Sequence, residues 1–167
     1  MIYYIIDVRS PNAFSRSTEL LNRTITKDSD TLQEFEEKYL YHFVYPSQSI
    51  RTIVSDTIRF ILDAKLGAQT IDLIRLKSHG RSGYLQFGEG LDVSNVAEFA
   101  ALAKFMKRDL SSVGVEIFGC GVASDTPTVG QRGEYLPGST QNGGRGTNFL
   151  KRFANAVNRN VKAGLNI

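Results

Sequence analysis

Four short apolar runs, Ile2 to Val8, Tyr39 to Tyr45, Ile71 to Lys77 and Val113 to Phe118, are each separated by a stretch long enough to hold a helix. Runs of this length, rich in β-branched and aromatic residues and bounded by turn formers, read as buried strands. Arg9 Ser10 Pro11 Asn12 ends the first and Pro46 stops the second. Between the second and third, Ile50, Ile53, Val54, Ile58, Ile61 and Leu62 recur at helical spacing, with Ser47 as the cap and Gly67 past the last turn. Strands that alternate with helices are joined by crossovers, and crossovers build a mostly parallel sheet covered on both faces. The expected fold is α/β, a three-layer αβα sandwich with a mostly parallel sheet.

The remaining segments fit that scheme. Residues from about Ser17 to Lys38 are polar and predict helix in part. A hairpin-like piece punctuated by glycines carries Tyr84, Leu85 and Phe87, and Ser94 can cap a helix that turns Val96, Phe99, Ala100, Ala103 and Met106 inward. From Gly121 to Gly146 the chain is rich in Gly, Thr, Ser and Gln without a period, longer than an ordinary connection. Thr147 can cap a final helix with Leu150, Phe153, Ala154 and Val157 inward, and Val161 to Ile167 can return as a last strand. No repeat or linker divides the 167 residues, so residues 1–167 are expected to form one domain.

Charge is distributed unevenly rather than in excess. Asp28, Asp30, Glu34, Glu36 and Glu37 crowd the first quarter, no acid follows Glu134, and Arg145, Lys151, Arg152, Arg159 and Lys162 make the last helix basic. No aromatic platform or recognition motif accompanies these cations, so nucleic acid is not an expected partner. A single cysteine forms no disulfide within the chain, and no Cys/His cluster has zinc spacing, so neither a metal nor another cofactor is expected. The first apolar run is short and meets Asp7 and Arg9 where a signal peptide needs its cleavage region, and no run reaches the length of a membrane span. A cytoplasmic protein without membrane attachment is the expectation.

The residues that can carry chemistry stand just beyond two strands. Ile71 to Lys77 runs into Ser78 His79 Gly80, and Val113 to Phe118 runs into Gly119 Cys120 Gly121. In an open α/β sheet the carboxyl ends of the strands border the ligand crevice, so two such exits can bring a base and a nucleophile together. Cysteine is among the most buried residue types and an isolated histidine is more often structural. Glycines on both sides of Cys120 favour the alternative, because they let the chain turn sharply and let a carbonyl approach a backbone donor. The second histidine, His42, lies inside an apolar strand pattern and reads as packed or at an edge.

The segment Ser78 His79 Gly80 Arg81 Ser82 Gly83 Tyr84 Leu85 Gln86 Phe87 Gly88, followed by Ile117 Phe118 Gly119 Cys120 Gly121 Val122 Ala123, resembles the caspase-like group of cysteine peptidases. More narrowly, it is similar to a bacterial branch near the CHAT and gingipain-like members. The resemblance runs from the second strand onward and implies a caspase-like topology. It implies a cysteine endopeptidase in which Cys120 attacks the scissile carbonyl and His79 handles protons, chiefly toward the leaving amine. The backbone amides of Gly80 and Cys120 would form the oxyanion hole. By the same resemblance Phe118, two positions before the cysteine, borders the pocket for the side chain preceding the scissile bond, and it supplies no carboxylate there. Asp125 and Glu134 can reach the cleft from the following loop, and Arg81 can favour an acidic residue. Related peptidases are sometimes cut after the nucleophile, where Arg132 and Arg145 lie; an uncut loop covering the substrate is the plainer reading.

Other chemistries fit less well. Gly119 to Ser124 nearly matches a dinucleotide fingerprint, but Ser124 replaces the third glycine and Pro127 interrupts the helix that should follow. Gly138 to Gly143 has phosphate-loop spacing, with Gly144 where lysine is needed. Thr126 occupies the position of a phosphatase arginine, and no Gly-x-Ser-x-Gly elbow occurs. Two alternatives to a peptidase stay open: a caspase-like interaction domain without turnover, and a small-ligand-binding α/β protein. The expected partners are a protein or peptide substrate and, through the basic last helix or a sheet edge, a partner protein or a second copy of the chain.

Overall fold

The computed structural model describes residues 1–10, 39–125 and 145–164. In chain order these form β1 (Ile2–Asp7), β2 (Tyr39–Val44), α1 (Ile50–Asp63), β3 (Leu73–Lys77), the short strands β4 (Gly80–Arg81) and β5 (Tyr84–Leu85), a 3-10 helix (Val96–Phe105), β6 (Val113–Phe118), α2 (Arg145–Val157) and β7 (Asn160–Ala163). Five strands make one sheet in the order β2-β1-β3-β6-β7, with every neighbour parallel. The chain is thus an α/β protein with an all-parallel central sheet flanked by helices, consistent with a three-layer sandwich. The order reverses between β1 and β3, the topological switch point at which such sheets open a crevice beyond their carboxyl ends. Among the described residues no helix is long and apolar enough to cross a membrane.

Registration explains why the strands read as apolar runs. Tyr3 pairs with Ile74 and Ile74 with Val115; Ile5 pairs with Leu76 and Leu76 with Ile117. All six are buried, and they share one core cluster with Ile50, Ile53, Phe99, Phe149 and Phe153 from the helices. The 3-10 helix packs on both α1 and α2 over this cluster. On the other face Tyr4, Arg75, Glu116 and Lys162 fall in one row across β1, β3, β6 and β7. Arg75 donates to Tyr4 Oη at 2.6 Å and to Glu116 Oε2 at 2.9 Å, which satisfies a half-exposed charge in the middle of the sheet.

Several boundaries differ from the sequence expectation, each for a local reason. Strand β3 begins at Leu73 rather than Ile71, because Ile71 forms an isolated bridge with Met106 instead. Ser49, not Ser47, caps α1 by accepting from Thr52 N; Leu62 points to solvent while Thr57 turns inward, its hydroxyl donating to Ile53 O. The segment after Asn95 winds as a 3-10 helix, so Val96, Phe99, Leu102 and Phe105 are buried at a spacing of three, whereas Ala100 is exposed and Ala103 half-buried. The last strand ends at Ala163 among the described residues. The helix expected within Ser17 to Lys38 and most of the loop from Gly121 to Gly146, with Arg132 and Glu134, lie outside them.

Candidate functional site

The exits of β3 and β6 are adjacent. Lys77 is registered with Phe118, and the ladder goes one rung further, Ser78 N–H donating to Phe118 O at 3.1 Å. Continued two residues along each strand, that register would bring His79 toward Cys120, but the ladder itself ends at the Ser78 bond. Burial alternates through both exits: Ser78 is buried and His79 exposed, Ile117 buried and Phe118 exposed, Cys120 exposed and Gly121 buried. Period-two alternation therefore carries His79 and Cys120 to the same side of the sheet, the side of Lys77 and Phe118 and away from the helical core. The next rung does not form, because the amide of Cys120 has no acceptor among the described residues. There the strands part and leave a backbone donor beside an exposed thiol.

What parts the strands is the hairpin after His79. Strands β4 and β5 pair antiparallel around Gly83, whose φ of 66° lies in the left-handed region, and a Cβ at that position would come within 2.6 Å of Arg145 O. The hairpin is bound to the turn after Cys120 by Gly83 N–H to Val122 O at 3.0 Å and Ser82 Oγ–H to Ser124 O at 2.5 Å. The turn itself closes with Ser124 N–H to Gly121 O at 2.9 Å. Gly80 abuts Gly119 so tightly that a Cβ would stand 3.1 Å from Gly119 Cα and nearer still to Val122 Cγ2. Two segments remote in the chain thus interlock around His79 and Cys120.

The remaining candidate residues occupy distinct places. Arg81 is exposed on β4 and its guanidinium lies 4.7 Å from the Tyr84 ring centroid. Phe118 is exposed on the outer face with Arg75 at 5.8 Å from its ring. Asp125 is occupied structurally: its carboxylate accepts from Thr147 N at 2.7 Å and from the Thr147 hydroxyl, so it caps α2 from outside the helix. The bond from the Thr147 hydroxyl, then that from its amide, holds this carboxyl below the usual range. Thr147, expected as the cap, is instead the first-turn donor that Asp125 satisfies. Arg145 opens α2.

His42 is excluded from chemistry by its setting. It lies on the inner face of β2, 5.2 Å from the Phe60 ring in a stacked arrangement, with Nδ1 paired to Tyr3 Oη at 3.0 Å and Nε2 buried without a partner among the described residues. Burial pushes its pKa down to about 4, against the pull of Asp56 and with a smaller push from Arg59. Among the described residues no three His, Cys, Asp or Glu side chains gather as a metal site.

Sequence reading missed the roles of Asp7 and Arg9, which it used only to end a strand and to argue against a signal peptide. Asp7 is fully buried at the carboxyl end of β1, beside the switch point. Its carboxylate accepts from Arg9 N, Arg9 Nε and Arg9 Nη2, and from Gly88 N at 2.9 Å. An acidic residue ending an otherwise apolar central strand, two positions before an arginine, is the signal that could have found them.

No protein-family model, no characterised protein and no solved structure matches the chain.

Proposed function

We propose that the protein is a cysteine endopeptidase working through Cys120 and His79. The observation that supports this reading is the adjacency of the β3 and β6 exits, joined by the Ser78 to Phe118 bond, with His79 and Cys120 both exposed just beyond it. An exposed thiol, an exposed imidazole at the adjacent strand exit and an amide with no acceptor among the described residues are parts that acyl transfer can use. Cys120 Sγ gives its proton to His79 and adds to the scissile carbonyl carbon, whose π electrons move to oxygen. The amides of Gly80 and Cys120 donate to that oxyanion. Its collapse expels the amine, which takes a proton from His79 and leaves a thioester on Cys120. Water, deprotonated by His79, attacks the thioester, and release of the carboxylic acid restores the thiol.

The substrate on this reading is a peptide lying across the outer side of the strand ends. The backbone around Cys120 is held rigidly by the hairpin bonds at Gly83 and Ser82, so the oxyanion donors are pre-positioned. Asp125 serves α2 rather than substrate, while exposed Arg81 and Phe118 stand where substrate side chains would pass.

The test is labelling of the full chain by a peptidyl acyloxymethyl ketone, read by intact mass, together with cleavage of a mixed peptide library. The wild-type chain is expected to gain one adduct on Cys120 and to cut; Cys120→Ala is expected to lose both, and His79→Ala to lose cleavage. Cleavage that persists in a folded Cys120→Ala variant rules the assignment out. A folded wild-type chain that neither labels nor cuts points to an interaction domain.

A further inference from the structure

The main chain of His79 is held from β1. Gln86 N donates to His79 O at 2.7 Å, and Ser78 Oγ donates to Gln86 O. The same Gln86 O accepts from Arg9 Nη2 at 3.2 Å, and that nitrogen also donates to Gly88 O at 2.7 Å. Arg9 is in turn fixed by Asp7 through Nε at 2.9 Å and Nη2 at 2.7 Å. Asp7 holds the far side of the same loop through Gly88 N. One buried carboxylate and one guanidinium therefore tie residues 86–88, the strip that returns beside Ser78 and His79, to the end of β1.

We infer that Arg9, locked by Asp7, is the positioning residue for His79: it fixes the 86–88 strip against which the histidine's backbone is bonded, and so sets where the imidazole stands relative to Cys120. The inference rests on the peptidase reading of the Cys120 and His79 pair. A mere strand anchor would need only an ion pair; here the guanidinium spends its donors on two main-chain carbonyls of the strip as well as on Asp7. Nε and Nη2 grip the two carboxylate oxygens, and Nη2 also reaches Gly88 O and, by a longer shared bond, Gln86 O. A lysine lacks the Nε donor that holds Asp7 Oδ1 and the guanidinium plane that orients the end group toward the strip, so Arg9→Lys keeps the charge while loosening the strip. Burial of Asp7 makes the device rigid, because the carboxylate has no water to turn to.

The experiment follows the pH dependence of Cys120 alkylation by iodoacetamide in the full chain, with circular dichroism and thermal melting as fold controls. An isolated thiol is only a few per cent ionised at neutral pH, whereas one paired with an imidazole reacts there through the pair. His79→Ala is expected to slow alkylation at pH 7 by about 10-fold and to leave the rate at pH 10 unchanged. Arg9→Gln is expected to follow the His79→Ala profile, and Arg9→Lys to fall between it and wild type. An Arg9→Gln variant that melts cooperatively and keeps the wild-type profile while His79→Ala loses it overturns the positioning role and leaves the dyad standing. If Arg9→Gln does not fold, Arg9→Lys decides in the same way: an intermediate profile supports the role and a wild-type profile overturns it. A wild-type profile in His79→Ala removes the dyad itself, and the inference with it.

Discussion

Gly80 is the position at which the interlocking of the two strand exits can be tested most directly. It lies outside the left-handed region, so alanine is compatible with its backbone, and the substitution alone would stabilise by about 0.4–1 kcal/mol through the unfolded chain. Against that stands the packing. A Cβ at Gly80 would lie nearer than 3.0 Å to Val122 Cγ2 and 3.1 Å from two backbone atoms of Gly119. Ordinary carbon contacts need roughly 3.5–4.0 Å, and Val122 is fully buried, so the turn after Cys120 must move away from the hairpin. Overpacking of this kind costs about 1–3 kcal/mol. The net loss expected for Gly80→Ala is about 0.5–2 kcal/mol, a fall in Tm of roughly 1–8 °C for a chain of this size. Urea denaturation of Gly80→Ala, Val122→Ala and the double variant measures it. The new methyl fits the space Val122 vacates, so the double variant should be more stable than the two single losses predict, by about 1 kcal/mol. Strict additivity, or a Gly80→Ala chain as stable as wild type, refutes the contact.

Two further outcomes follow from buried and capping charges. His42 has a folded pKa of about 4 against 6.5 in the unfolded chain, so the unfolded state binds the extra proton between these values and stability falls as pH drops through that window. At one proton, the loss by pH 4 is about 3 kcal/mol, and His42→Gln, which keeps an acceptor for Tyr3, should remove most of that slope in denaturation between pH 7 and 4; parallel slopes in the two chains would count against the buried imidazole. Asp125→Ala should cost about 1 kcal/mol by uncapping α2 while Asp125→Asn costs little, and equal stability of the alanine variant and wild type in thermal melts would remove the cap.

The sheet was legible because its strands are buried on one face and apolar for most of their length. The place of both exits at the carboxyl edge of the sheet was legible too, since Ser78 His79 and Gly119 Cys120 each follow such a run. What the pattern hid were effects of tertiary context. Val96, Phe99, Leu102 and Phe105 fit a period of three, but Ala100 and Ala103 are apolar as well and fill out a period of 3.6, so only packing between α1 and α2 reveals the tighter winding. Ser47 and Ser49 are equal as caps by residue type; Glu89 settles the choice by accepting from Ile50 N at 3.1 Å, a bond that no local rule predicts. Asp125 looked available for substrate because its partner Thr147 lies far along the chain. Asp7 and Arg9 were hidden for the same reason, as their acceptors and donors come from residues 86–88.

The Ser78 to Phe118 rung joins strands that are distant in the chain, and neither strand exit can assemble the pair alone. A chain emerging during synthesis therefore holds His79 and Cys120 apart until β6 has docked on β3. On the peptidase reading, chemistry at this edge would be latent by construction. It would switch on when the middle of the sheet closes and switch off when that closure frays. Thiol reactivity at Cys120 would serve as a gauge of native integrity, and nascent or damaged copies would be harmless to the proteins around them.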